Sequence, residues 1–134
     1  MNIEALKGIV AQLMQEGKGI LAADESDSSA GKRLDLVGLP NDEENRQVFR
    51  ELLFTAPGIE AYLSGAILYD STIKSGTKDG VPFADVLAAR GIVPGIKVDT
   101  GPKPMQGFKD EVITQGLDGL AERLTEYYGL GARF

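Results

Sequence analysis

Three short apolar runs constrain this chain more than anything else in it, because each one ends in charge. Gly19–Ala23 is followed by Asp24, residues 65–69 by Asp70, and residues 92–98 carry Lys97 and are followed by Asp99. Runs this short, apolar at successive positions and flanked by glycine, read as strands buried on both faces. The segments between them carry the helical period instead. Ile3, Leu6, Ile9, Val10, Leu13 and Met14 predict a helix over 3–16, stopped by Gly17. A second helix begins within residues 26–29 and ends at Gly38. Asn41 with Glu44 reads as a capping box for a third, whose core face is Val48, Phe49, Leu52 and Leu53. Asp79-Gly80 is a turn, and Pro82 opens a short helix with Phe83, Val86 and Leu87, stopped by Gly91. Residues 100–115 read as a loop rich in proline and glycine, and Leu117, Leu120, Leu124 and Tyr127 as the face of a last helix. Met14, Phe49 and Tyr127 are expected in the core.

Buried strands alternating with amphipathic helices specify an α/β fold, a parallel sheet with right-handed crossovers. Ala132, Arg133 and Phe134 read as the entry to a fourth strand, so residues 1–134 are expected to be one domain truncated at its C-terminus. The 134 residues, 43% hydrophobic and 25% charged, have the make-up of a soluble globular domain. A net charge of -6, from 14 basic and 20 acidic residues, argues against nucleic acid or an anionic membrane as partner. With no cysteine and no histidine, disulfides, Cys/His zinc sites and histidine triads are excluded. No signal peptide or membrane span is legible, and a cytoplasmic location is expected.

In parallel α/β proteins ligands bind at the C-terminal ends of the strands. Alternation puts Ile20, Ala22 and Asp24 on one face of the first strand, and Val93, Gly95, Lys97 and Asp99 on one face of the third. The small residues Ala22 and Gly95 leave space beneath Asp24 and Lys97. A lysine near an aspartate at such a rim either holds an anionic substrate and moves protons or forms a structural ion pair; both readings stand at this point. Asp70 is a weaker candidate, able simply to cap a loop. Ser26 and Ser29 lie where a helix begins, which favours an anion, with Arg33 one turn on as a phosphate partner. Serine is equally a good N-cap. No nucleotide-binding glycine motif is present, and no metal or cofactor is expected.

Five blocks, GKGILAADES (17–26), EENRQVFRELLFT (43–55), GAILY (65–69), GIKVD (95–99) and TQGLDGLAER (114–123), resemble in order and spacing the N-terminal portion of class I (Schiff-base) fructose-bisphosphate aldolases. The resemblance implies the N-terminal part of a (β/α)8 TIM barrel, with three strands and their helices and the start of a fourth. It implies reversible cleavage of fructose 1,6-bisphosphate to glyceraldehyde 3-phosphate and dihydroxyacetone phosphate. Asp24 and Lys97 match catalytic positions, Ser26, Ser29 and Arg33 match phosphate-binding ones, and Asp118 matches a subunit interface of tetrameric members. The implied partners are a sugar phosphate and further copies of the chain. The imine-forming lysine and its partner glutamates match nothing here, so the chain alone is expected to be inactive. Asp27-Ser28 replaces the family's usual Thr-Gly, Thr100 stands where a lysine is common, and residues 102–112 depart from the typical loop. Two alternatives stand beside this reading. One is a non-catalytic partial barrel that binds phosphosugar or self-associates. The other is a phosphorelay receiver, which needs five strands with its lysine near the end of the chain.

Overall fold

A computed structural model describes residues 2–134. Strands β1 (Gly19–Ala23), β2 (Leu63–Leu68) and β3 (Val93–Ile96) form a parallel sheet in chain order, and β4 (Gly101–Pro104) and β5 (Val112–Gln115) a separate antiparallel hairpin. The helices are α1 (Ile3–Leu13), α2 (Asp27–Asp35), α3 (Glu43–Phe54), α4 (Asp70–Ile73), α5 (Phe83–Ala89) and α6 (Leu120–Gly129), with one 3-10 turn at Ile59–Ala61. A receiver domain does not have this topology: its doubly wound sheet reverses strand order at a switch point, whereas this one runs 1-2-3. Among the described residues no helix is long and apolar enough to cross a membrane.

Register fixes which side chains share a face. Ala22, Ile67 and Gly95 are aligned across the sheet, as are Ile20, Gly65 and Val93. Leu21, Ala23, Ala66, Leu68 and Ile96 point the other way, where the core forms with Phe54, Ile73, Phe83, Leu87, Ile92 and Tyr127. Phe54 and Phe83 meet edge to face, centroids 5.3 Å apart. Fully burying one such side chain stabilises by about 1.5–3 kcal/mol, so helices α3 and α5 are held mainly by this layer. Arg90 adds a polar tie, donating to the carbonyls of Ala56 (3.0 Å) and Thr55 (3.4 Å) at the C-terminal end of α3.

Several elements depart from expectation. The cap of α3 is Asp42, whose carboxylate accepts from the Asn45 N–H at 2.8 Å; Asn41 instead accepts from Arg46. Of the expected core face of that helix, Leu53 packs against the core and Phe49 is half-buried, but Val48 (52% exposed) and Leu52 (71%) lie on the solvent side. Arg50 and Phe54 are the buried residues, so the true core face is rotated from the expected one. Met14 is likewise exposed, and Leu117 precedes α6 in a turn. The expected loop over 100–115 is a β-hairpin, since its alternating prolines occupy an edge strand, where no partner needs their missing N–H. Helix α1 crosses the N-terminal end of β2: the buried Ser64 hydroxyl donates to the Leu13 carbonyl at 2.8 Å. At the far edge of the sheet, the Arg133 N–H donates to Pro94 O (2.8 Å) and the Ile96 N–H to Phe134 O (2.9 Å).

Candidate active site

The strand-end charges lie on the sheet face opposite the Phe54–Phe83 core; helix α1 covers the N-terminal end of that face, where Leu13 sits over Gly65, and leaves its C-terminal end clear. Asp24 follows Ala22 by two residues and Lys97 follows Gly95 by two, so alternation continues both onto the face that Ala22, Ile67 and Gly95 share. The Lys97 N–H donates to Leu68 O at 3.0 Å, extending the ladder one residue past the end of β3 and fixing the level of Lys97. Two strand spacings place Asp24 and Lys97 about 10 Å apart across β2. The half-buried Asp24 carboxylate makes no side-chain hydrogen bond or ion pair among the described residues.

Lys97 pairs with Asp99 on its own strand face, not with Asp24. The other oxygen of Asp99 accepts from the Gly101 N–H at 2.9 Å. The Lys97 hydrogen bond, above all, holds the Asp99 carboxyl below its ordinary range, against the opposing pull of partial burial. Gly95 does not leave open space beneath Lys97. The Phe134 ring fills it, since a Cβ on Gly95 would come within 2.6 Å of that ring.

Around the start of α2, Ser26 is the N-cap: its hydroxyl accepts from the Ser29 N–H at 3.3 Å and donates to the Ser29 hydroxyl at 3.2 Å. Arg33 is turned to Glu25, Nε to Oε1 at 3.0 Å, rather than toward the serines. The second carboxylate oxygen of Glu25 accepts from Arg50 at 2.6 Å, and its carbonyl accepts from the same guanidinium at 2.7 Å. Burial pushes the Glu25 carboxyl up, but the Arg50 and Arg33 interactions outweigh it and leave it lowered. Asp27 accepts from the Ser71 hydroxyl at 2.7 Å and pairs with Arg46 at 3.6 Å, so its charge is met by α3 and α4. Asp70 begins α4 and accepts from Tyr127 and Lys74, each at 2.8 Å. Asp118 is exposed in the turn before α6.

Glu25, Arg50, Arg123 and the Tyr127 hydroxyl were not anticipated. Arg123 donates to the carbonyls of Val98 (2.7 Å) and Gly116, bracing the segment after β3 against the base of the hairpin. One signal was available for Arg50: it lies three and four residues before Leu53 and Phe54, where helical spacing calls for an apolar side chain.

The family model for class-I fructose-bisphosphate aldolase, a glycolytic family, matches residues 5–134. The chain belongs to this family. Its aldolase relatives include a probable class 1 enzyme of Xanthomonas axonopodis pv. citri, 55% identical over the whole chain. Another is the chloroplastic fructose-bisphosphate aldolase 3 of Arabidopsis thaliana, 55% identical over 118 residues, covering 88% of this chain and 30% of that one. The solved aldolase of Plasmodium falciparum, in complex with TRAP and a small-molecule inhibitor, superposes with a TM-score of 0.92 at 48% identity. It covers 98% of this chain, which in turn covers 38% of the Plasmodium chain. This aldolase chain spans 40% of the length of the Xanthomonas relative.

As chemistry, the geometry sets an unpaired carboxylate and an ammonium on one open face at the C-terminal strand ends, with a hydroxyl-capped helix start beside them. Such a site can bind an anionic, hydroxyl-rich molecule between the two groups and move a proton at one end of it.

Proposed function

We propose that this chain supplies the first part of the site of a class-I aldolase that reversibly cleaves fructose 1,6-bisphosphate to two triose phosphates. The observation carrying this reading is the placement of Asp24 and Lys97 on one face, at one level, two strands apart. Here β1–β3 are the first strands of a (β/α)8 barrel, an architecture of about 250 residues. The pairing of Arg133 and Phe134 with β3 begins the fourth strand.

Lys97 binds substrate and its phosphate, exchanging its Asp99 contact for the ligand's oxygens. Asp24, which has no competing partner among the described residues, orients the substrate hydroxyls and takes part in proton transfer. Ser26 and Ser29 present hydroxyls and helix N–H groups to a phosphate. Arg33 joins them by releasing Glu25, which Arg50 still holds. The imine-forming lysine matches no position in this chain. Its protonated imine accepts the electron pair of the central carbon–carbon bond as that bond breaks, giving an enamine and a free aldehyde. A homo-oligomeric assembly is part of the same reading, with Asp118 and the exposed Leu117 at the interface.

The test joins residues 1–134 to the part of the Xanthomonas relative that follows the matched region. The hybrid is expected to cleave fructose 1,6-bisphosphate, and borohydride with a ketose phosphate to trap an adduct on a lysine outside residues 1–134. An inactive hybrid, or an adduct on any lysine of this chain, would overturn the reading.

A further inference from the structure

We infer that Arg50 is a positioning residue for Asp24, acting through Glu25. The inference rests on the aldolase reading for its assay. Among the described residues Asp24 has no side-chain partner, so the point from which it projects is set by the backbone of β1 and of the residue that follows it. That residue is Glu25, and it is held at two points by one group. The Arg50 guanidinium donates one N–H to Glu25 Oε2 at 2.6 Å and another to the Glu25 carbonyl at 2.7 Å.

The anchor is rigid for three reasons. Arg50 is 4% exposed, in the middle of the twelve-residue helix α3, which is itself fixed to the core by Phe54. Its guanidinium also lies 5.3 Å from the Phe49 ring centroid, within cation–π range. A planar fork holds a carboxylate and a carbonyl from two nitrogens in one fixed geometry, which the rotatable single nitrogen of a lysine ammonium does not impose. Arg33 takes the remaining oxygen of Glu25 from the solvent side only until it turns to a phosphate, so the lasting hold on Glu25 is that of Arg50. The same anchor fixes the approach to Ser26, the cap of α2. A buried arginine therefore sets the strand-to-helix corner from which Asp24 projects, although it touches no substrate.

The test uses the active hybrid described above and a double-mutant cycle. Arg50→Lys keeps the charge and loses the fork. Its expected effect is a fall in kcat of ten-fold or more with KM changed less than three-fold. The decisive readout is coupling: on an Asp24→Asn background the same substitution changes kcat by less than two-fold, because the group it positions is gone. A merely structural role gives the same fold-loss on both backgrounds, and that result overturns the inference. If Arg50→Lys does not fold, Glu25→Gln, which weakens the same anchor without changing size, carries the same cycle and the same two outcomes. An inactive unsubstituted hybrid overturns the aldolase reading and this inference with it. An active hybrid whose substitutions are additive overturns the inference alone.

Discussion

The phenol of Tyr127 donates a 2.8 Å hydrogen bond to Asp70, tying helix α6 to the residue that follows the end of β2. Tyr127 is 4% exposed, so its hydroxyl is a buried donor given a charged acceptor. Burial raises the Asp70 carboxyl, but hydrogen bonds from Lys74 and Tyr127 outweigh it and hold it below its ordinary 3.8. Tyr127→Phe is expected to cost about 1–2 kcal/mol at neutral pH. A carboxyl with a depressed folded pKa contributes stability above its unfolded value, and that contribution is lost as pH falls through the folded value. The gap between the two proteins should therefore close below pH 3.8. Urea melts across pH 3–7 check this; a gap independent of pH would show that Asp70 is not the partner that matters.

Lys97→Met should release the Asp99 carboxyl upward toward 3.8, because the Lys97 hydrogen bond is the main cause of its depression. An NMR titration of the carboxyl carbons reads the change directly. The same titration curve in both proteins would mean that the pair seen here is not populated in solution.

Gly95→Ala should destabilise the chain by about 1–3 kcal/mol, since the new Cβ meets the Phe134 ring. On a Phe134→Ala background most of that cost should vanish, a coupling measurable by denaturant melts of the four proteins. Additive costs would show that the ring does not rest on Gly95.

The isolated chain should self-associate as its concentration rises. Ile3 (56% exposed), Leu6 (50%) and Val10 (58%) form an uncovered stripe on α1, and Ile20 is 47% exposed on the open sheet face. Patches of this kind seek partners. Sedimentation velocity over a ten-fold concentration range is the measurement, and a single unchanging monomer peak would refute the expectation.

By itself, the sequence determined the three strands, their parallel α/β setting and the strand-end charges. Apolar runs with glycine boundaries and helical periods are local signals, and Asp24, Lys97 and Ser26 were legible because alternation and capping are local too. Only the tertiary structure decided partners. Lys97 meets Asp99, Arg33 turns to Glu25, and Phe134 fills the space over Gly95. Lys97 and Asp99 were already neighbours along one strand face, and the structure decided only between the two roles open to them; the other two contacts join groups that compact packing brings within reach. Of the stripe Val48, Phe49, Leu52 and Leu53, Leu53 reaches the core while Val48 and Leu52 face solvent, because period reports that a helix has a face but not what lies opposite it. The prolines of β4 concealed a strand for a related reason: its lack of N–H groups is tolerable only at an edge, and position in a sheet is set by the fold. Arg50 is the clearest case, for its burial is made tolerable by Glu25, twenty-five residues earlier in the chain and 2.6 Å away in space.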